Sequence, residues 1–115
     1  MEKPAIDHLD TQTLNSLRQV MEDDFGLLIE TFVQDSHERI RVLREAIAAA
    51  NPDAIRRAAH SFKGSSSNIG ALQLVRLCAA VEHKALSSQL EQLELDLQHI
   101  EGEFAQVEQL LLALD

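Results

Sequence analysis

Apolar positions recur in steps of three and four over most of this chain, the spacing of helices that bury one face. The longest such run reads Phe25, Leu28, Ile29, Phe32, Val33, Ser36, Ile40, Leu43 and Ile47. The most regular reads Leu90, Leu93, Leu97, Ile100, Phe104, Val107, Leu111 and Leu114. That a/d stripe suits shallow packing against neighbouring helices. Between the two runs, Ile55, Phe62 and Ile69 fall on one line, and Leu74, Val75, Cys78, Val81 and Ala85 on another. A short leading helix would bury Leu14, Leu17 and either Val20 or Met21.

Polar punctuation sets the boundaries. Asp10 is a good N-cap for the first helix, and Leu9 with Leu14 can form a hydrophobic staple across it. Glu22-Asp23-Asp24 suits the positive end of a second helix. Asn51-Pro52-Asp53 ends that helix and starts a third: Asn51 caps, Pro52 sits where a missing N–H costs nothing, and Asp53 favours the dipole. The third runs to about Asn68, with Gly70 free to adopt φ > 0 and stop it. A fourth spans Ala71 to about Leu86, after which Ser87-Ser88 can cap the last. Gly102, off the final stripe, costs roughly 1 kcal/mol relative to Ala. The pattern predicts an all-α fold: an antiparallel four-helix bundle with an additional short N-terminal helix. It forms one domain over residues 1–115, residues 1–8 being a loose lead-in.

Composition narrows the function. Lys plus Arg is 10 against 19 Asp plus Glu, a net charge of −9. That balance disfavours nucleic acid or an anionic membrane as partner, since both reward clustered positive charge. Tyr and Trp are absent, so the aromatic platforms of single-strand binders are missing. One Cys allows neither an internal disulfide nor a Cys-rich zinc site. Residues 1–10 lack the apolar stretch of a signal peptide, and no run approaches a membrane span. These features predict a small, acidic, cytoplasmic helical domain.

One segment departs from the logic of the bundle. Counting about 100° per residue, His60 points away from the line of Ile55, Phe62 and Ile69, with Lys63, Gly64 and Ser67 following on its own face. Gly and Ser forfeit helix propensity there, so something other than helix stability selects them. Small residues beside an exposed imidazole let another protein approach the ring. Arg56, Arg57 and Lys63 against Asp53 alone also make a local +2 (3 − 1) on this acidic chain, able to help hold a transferred anionic group. The plainer alternative is a surface histidine followed by a solvated helix end.

Ala59-His60-Ser61-Phe62-Lys63-Gly64-Ser65-Ser66, followed by Ile69-Gly70-Ala71, closely resembles the signature of histidine-containing phosphotransfer (HPt) domains. The resemblance extends to length, helix order and bundle architecture; Phe62 stands where Leu is more usual. It implies a stand-alone bacterial phosphocarrier of a two-component phosphorelay, not an enzyme. His60 would accept a phosphoryl group from the aspartyl phosphate of one receiver domain and pass it to the aspartate of another. Lys63 would pair with the phosphoryl oxygens, Gly64 would keep the approach open, and Ser65 and Ser67 could assist by hydrogen bonding. The partners implied are receiver domains of hybrid sensor histidine kinases and response regulators. No cofactor is expected on this chain; Mg²⁺ would belong to the receiver. A hydrophobic patch around His60, contributed by helices one to three, would be the shared docking surface of a monomer.

Register adds one residue. The third and fourth helices turn near Gly70, so His60 lies level with Val81 and Glu82. Val81 belongs to the buried stripe, which leaves Glu82 as a candidate partner for the second imidazole nitrogen, fixing the tautomer. Some members of the family place an amide there. The alternative is a solvated Glu making only contacts within its own helix. His8, His37, His83 and His99 have no metal-site spacing, and Cys78 reads as core. The chain holds no Gly-rich phosphate loop and no room for an ATP-binding domain, which argues against a kinase. The competing function is a helical adaptor whose last stripe seeds a coiled-coil dimer. Such an adaptor has no need of Lys63-Gly64 beside His60.

Overall fold

Five α-helices follow in chain order in the computed structural model, which describes residues 8–114: α1 Thr11–Met21, α2 Phe25–Ala48, α3 Pro52–Ile69, α4 Leu72–Leu86 and α5 Leu93–Leu112. Asp10 caps α1 as its side chain accepts from the Gln12 N–H at 3.1 Å and the Thr13 hydroxyl at 2.8 Å. Its own N–H donates to the Gly70 carbonyl at 2.8 Å, so the start of α1 is tied to the turn between α3 and α4. Glu22–Asp24 form a separate 3₁₀ turn and α2 begins at Phe25. Asn51 caps α3 through the Ala54 N–H at 3.2 Å, with Pro52 in the first turn. Gly70 ends α3 at φ 80°.

Helices α2 to α5 pack each against the next, and α5 closes the ring against α2; the most extensive contact joins α3 and α4. The core is the set of stripes read from the sequence. Ile29, Leu43, Ile55, Phe62, Leu74, Cys78, Val81, Leu93, Ile100, Val107 and Leu111 are fully buried. Phe32 and Phe62 both pack on Phe104, at ring-centroid distances of 6.3 and 6.5 Å. Leu9 packs against this core and Leu14 lies within it. Because the α5 stripe from Leu93 to Leu111 is buried inside the chain's own bundle, it is not available to seed a coiled coil.

Of the two alternatives at the end of α1, Met21 turns toward the core while Val20 is 78% exposed. Three details differ from the sequence expectation. Val75 is only partly buried, at the edge of its stripe. Ser87-Ser88 close α4 instead of capping α5: Ser87 is the C-cap, and Ser88 adopts φ 55°, the left-handed geometry that ends helices. Leu90 therefore precedes α5, whose first turn carries Glu94 and Asp96 on the favourable side of the dipole. Finally, the lead-in expected over residues 1–8 lies outside the described residues except for His8. That residue is not loose, because its Nδ1 stands 2.6 Å from Glu103 Oε2 on α5.

Candidate functional site

His60 stands on the solvent face of α3, its side chain 64% exposed. The phase of α3 puts it there: Ala59 and Phe62 on either side are fully buried, which fixes the helix rotation and leaves residue 60 outside. Across the hairpin, Glu82 of α4 reaches its ring, with Oε2 2.8 Å from Nδ1. The same carboxylate receives Lys63, whose Nζ lies 2.7 Å from Oε1. Glu82 thus uses one oxygen for each of two α3 side chains. Lys63, and more weakly His60, hold its carboxyl below the ordinary range against an opposing push from burial. An ionised carboxylate can only accept, so Nδ1 carries the proton, and Nε2 makes no hydrogen bond among the described residues.

Gly64 follows Lys63 on the exposed face. A Cβ built there meets no atom within 4 Å, and its φ is not positive. Nothing among the described residues requires glycine at that position. Ser65 and Ser67 do not join the group. Ser65 lies about 140° round α3 from His60 and lines a depression with Leu17, Leu28 and Thr31. Ser67 is exposed on the His60 face but two turns further on. Arg56 and Arg57 both pair with Asp53, at 3.0 and 3.1 Å. The local positive charge is therefore largely committed one turn back from the imidazole.

Two of the other histidines tie the bundle together, while His83 and His99 are exposed. His8 pairs with Glu103, and His37 joins α2 to α5 through Glu108 at 3.0 Å and an edge contact with Phe104. Cys78 is buried within the α4 stripe, and burial pushes its thiol up to about 12, so it is inert as a nucleophile.

The family model described as "Hpt domain" matches residues 27–115. The chain belongs to the Hpt family. Histidine phosphotransfer within a phosphorelay is the function that membership carries. The chain is also similar in structure to histidine-containing phosphotransfer protein B (HptB) from Pseudomonas aeruginosa PAO1, at a TM-score of 0.90 and 43% sequence identity, with 93% of each chain covered. No curated protein matches it. Among the described residues, no helix of this Hpt chain is long and apolar enough to cross a membrane.

One relationship at the site escaped the sequence reading. Arg39 of α2 donates through Nη1 to the Ser61 hydroxyl, next to His60. The signal was present: α2 and α3 turn near Ala50, and 39 and 61 are equidistant from it.

Proposed function

We propose that His60 is the phosphoryl-carrying residue and that the chain shuttles the group between receiver-domain aspartates in the cytoplasm. The observation that supports this reading best is the tethering of Nδ1 to Glu82 while the ring stays exposed. The Nε2 lone pair attacks phosphorus in line; the N–P bond forms as the acyl-phosphate P–O bond breaks, and the receiver's aspartate leaves as carboxylate. Nδ1 keeps its proton throughout. The positive charge that develops on the imidazole ring faces Glu82, which stabilises it electrostatically. Such a transfer is mostly positioning and charge compensation, so no deep pocket is needed on this side. The Mg²⁺ expected for the reaction belongs to the receiver, and this chain supplies no cofactor of its own.

Lys63 is the cation within reach of the transferred group: it leaves Glu82 Oε1 for a phosphoryl oxygen as that charge arrives. Gly64 keeps the surface flat, so the receiver's loops can close on His60. Ser65 and Ser67 contribute to the docking face and not to the reacting centre. That face is contributed by α1, α2 and α3, where two shallow depressions adjoin, one floored by Val42, Ala54 and Ala58 and the other by Leu17, Leu28 and Phe32. The protein works as a monomer that binds each receiver transiently.

The deciding experiment is transfer of labelled phosphate from a phosphorylated receiver to the wild type and to His60→Gln. An acid-labile, base-stable label on the wild type alone supports the assignment. A label on both places the phosphoryl group elsewhere. No label on either, across a panel of receivers, removes the carrier reading.

A further inference from the structure

Arg39 sits in the wall of a groove between α2 and α3, of about 640 Å³, and its chemistry is unlike that of its neighbours. On α3, Arg56 and Arg57 are bound to Asp53, and Lys63 to Glu82. On α2, Arg41 is bound to Glu38 and Glu45, and Arg44 to Glu101. Arg39 is the one Lys or Arg of these two helices without a carboxylate partner among the described residues. It donates to the neutral hydroxyl of Ser61, and its Nε is buried with no partner. Asp35, one turn earlier on α2 and also in the groove wall, makes no ion pair with it.

The buried Nε is closed to a partner, and its missing hydrogen bond is a cost to the fold. The charge of the guanidinium, which no carboxylate of the described residues neutralises, is what an incoming protein can meet. Glu82 draws the His60 ring toward α4, whereas Ser61 lies about 100° further round α3, on the α2 side. Arg39 is thus held beside the reactive histidine but on the opposite flank from Lys63. Its fork, held by Ser61, lines the groove together with Val42, Ala54 and Ala58. A planar guanidinium held in this way matches a carboxylate in geometry and charge.

We infer that Arg39 is a partner-reading residue: it receives an acidic side chain from the docking face of the incoming receiver domain, with Ser61 holding it ready. This rests on the proposed phosphoryl exchange with receivers, and it assigns Arg39 to docking, not to the phosphoryl group. Ser61 is a positioning residue that acts through Arg39.

The test measures three quantities for the wild type, Arg39→Gln, Arg39→Lys and Ser61→Ala. They are the Kd for unphosphorylated receiver domains, the KM and kcat of transfer from the phosphorylated receivers, and the half-life of the phosphorylated chain alone. Arg44→Gln, which makes the same change of charge on α2 away from the groove, is the control, and thermal melts verify folding. Arg39→Gln is expected to raise Kd and KM by about five- to tenfold at low salt, without shortening the half-life. The gap should narrow by 300 mM salt, as screening requires. Arg39→Lys, which keeps the charge but loses the fork, falls between, and Ser61→Ala raises Kd about two- to threefold. A shortened half-life at unchanged Kd would assign Arg39 to the phosphoryl group and overturn the inference. Unchanged values throughout, or an equal effect from Arg44→Gln, would also overturn it. Failure of the carrier reading has a different appearance: receivers bind but none labels the wild type, and the Kd series still decides the role of Arg39.

Discussion

The ammonium of Lys63 rests on the carboxylate of Glu82, 2.7 Å away, instead of standing free in solvent. The cation assigned to the phosphoryl group is therefore stored on the same side chain that orients the histidine. Glu82→Ala is expected to slow phosphoryl acceptance by about tenfold, the order of one charge-assisted hydrogen bond, and to free Lys63. Glu82→Gln keeps an acceptor for Nδ1–H but loses the charge, and should lie between. Initial rates of label uptake measure the effect. ¹⁵N spectra of the imidazole separate orientation from charge: the Nδ1–H tautomer dominates in the wild type and becomes mixed in Glu82→Ala.

The same carboxylate predicts a pH dependence of stability. Its pKa in the folded protein is held below the ordinary 4.5 by Lys63 first, so the unfolded chain takes up the proton before the folded one does. The stabilisation is fully present above the ordinary value and is lost as pH falls through the lower, folded one. Denaturant unfolding between pH 7 and pH 3 should show the wild type losing its advantage over Glu82→Gln in that acid window. An advantage that grew toward low pH would contradict the assignment.

Two glycines on exposed helix positions separate stability from function. Neither Gly64 nor Gly102 has an atom within 4 Å of a built Cβ. Each change to Ala should raise stability by about 0.5–1 kcal/mol, read from chemical denaturation. Gly102→Ala should leave transfer at wild-type rates, whereas Gly64→Ala should slow it through the added methyl at the docking face. Equal transfer rates in both variants would remove the proposed role of Gly64.

Gly70 is the opposite case. It holds φ 80°, and a Cβ there would stand 3.0 Å from Thr13 Cβ and 3.2 Å from Asp10 Cβ. Gly70→Ala is expected to destabilise by about 1–3 kcal/mol. The loss should fall first on α1, whose start is bonded to the Gly70 carbonyl. Hydrogen exchange would show α1 amides losing protection before those of α3.

Phe62 tests the core beneath the site. It is fully buried and packs on Phe104. Phe62→Ala should cost about 3–5 kcal/mol, whereas Phe62→Leu should cost about 1 kcal/mol. The Leu variant should transfer normally, since the outward phase of His60 depends on a large apolar residue at 62 and not on an aromatic one.

Where one physical rule acted alone, the sequence was a sufficient guide. The stripes from Phe25 to Ile47 and from Leu93 to Leu111 were legible because burial alone selects them. Asn51-Pro52 and Gly70 were legible because few other residues suit those backbone positions. Glu82 emerged from counting outward from Gly70, as two antiparallel helices keep register over ten residues. Arg39 and Ser61 obey the same arithmetic about Ala50, but the long reach of an arginine leaves its partner open until the fold is in hand. The sharing of Glu82 between His60 and Lys63 was not legible, because a lysine that can reach a phosphoryl group can equally reach a neighbouring acid. The position of Ser65, round α3 from His60 in a depression with Leu17 and Leu28, follows from the 100° step of the helix. Ser87-Ser88 fit a helix start as well as a helix end, and only the backbone geometry at Ser88 decides.

The 64% exposure of the His60 side chain bears on signalling fidelity. With His60 as the proposed carrier, its nitrogen stands on an open helix face that no described segment covers, so exposure alone would not discriminate among phosphorylated receivers that dock there. Insulation between pathways must then come from contacts away from the ring. Cross-talk in this protein should accordingly be altered by changes on the α2 side of α3 without any change to the imidazole itself.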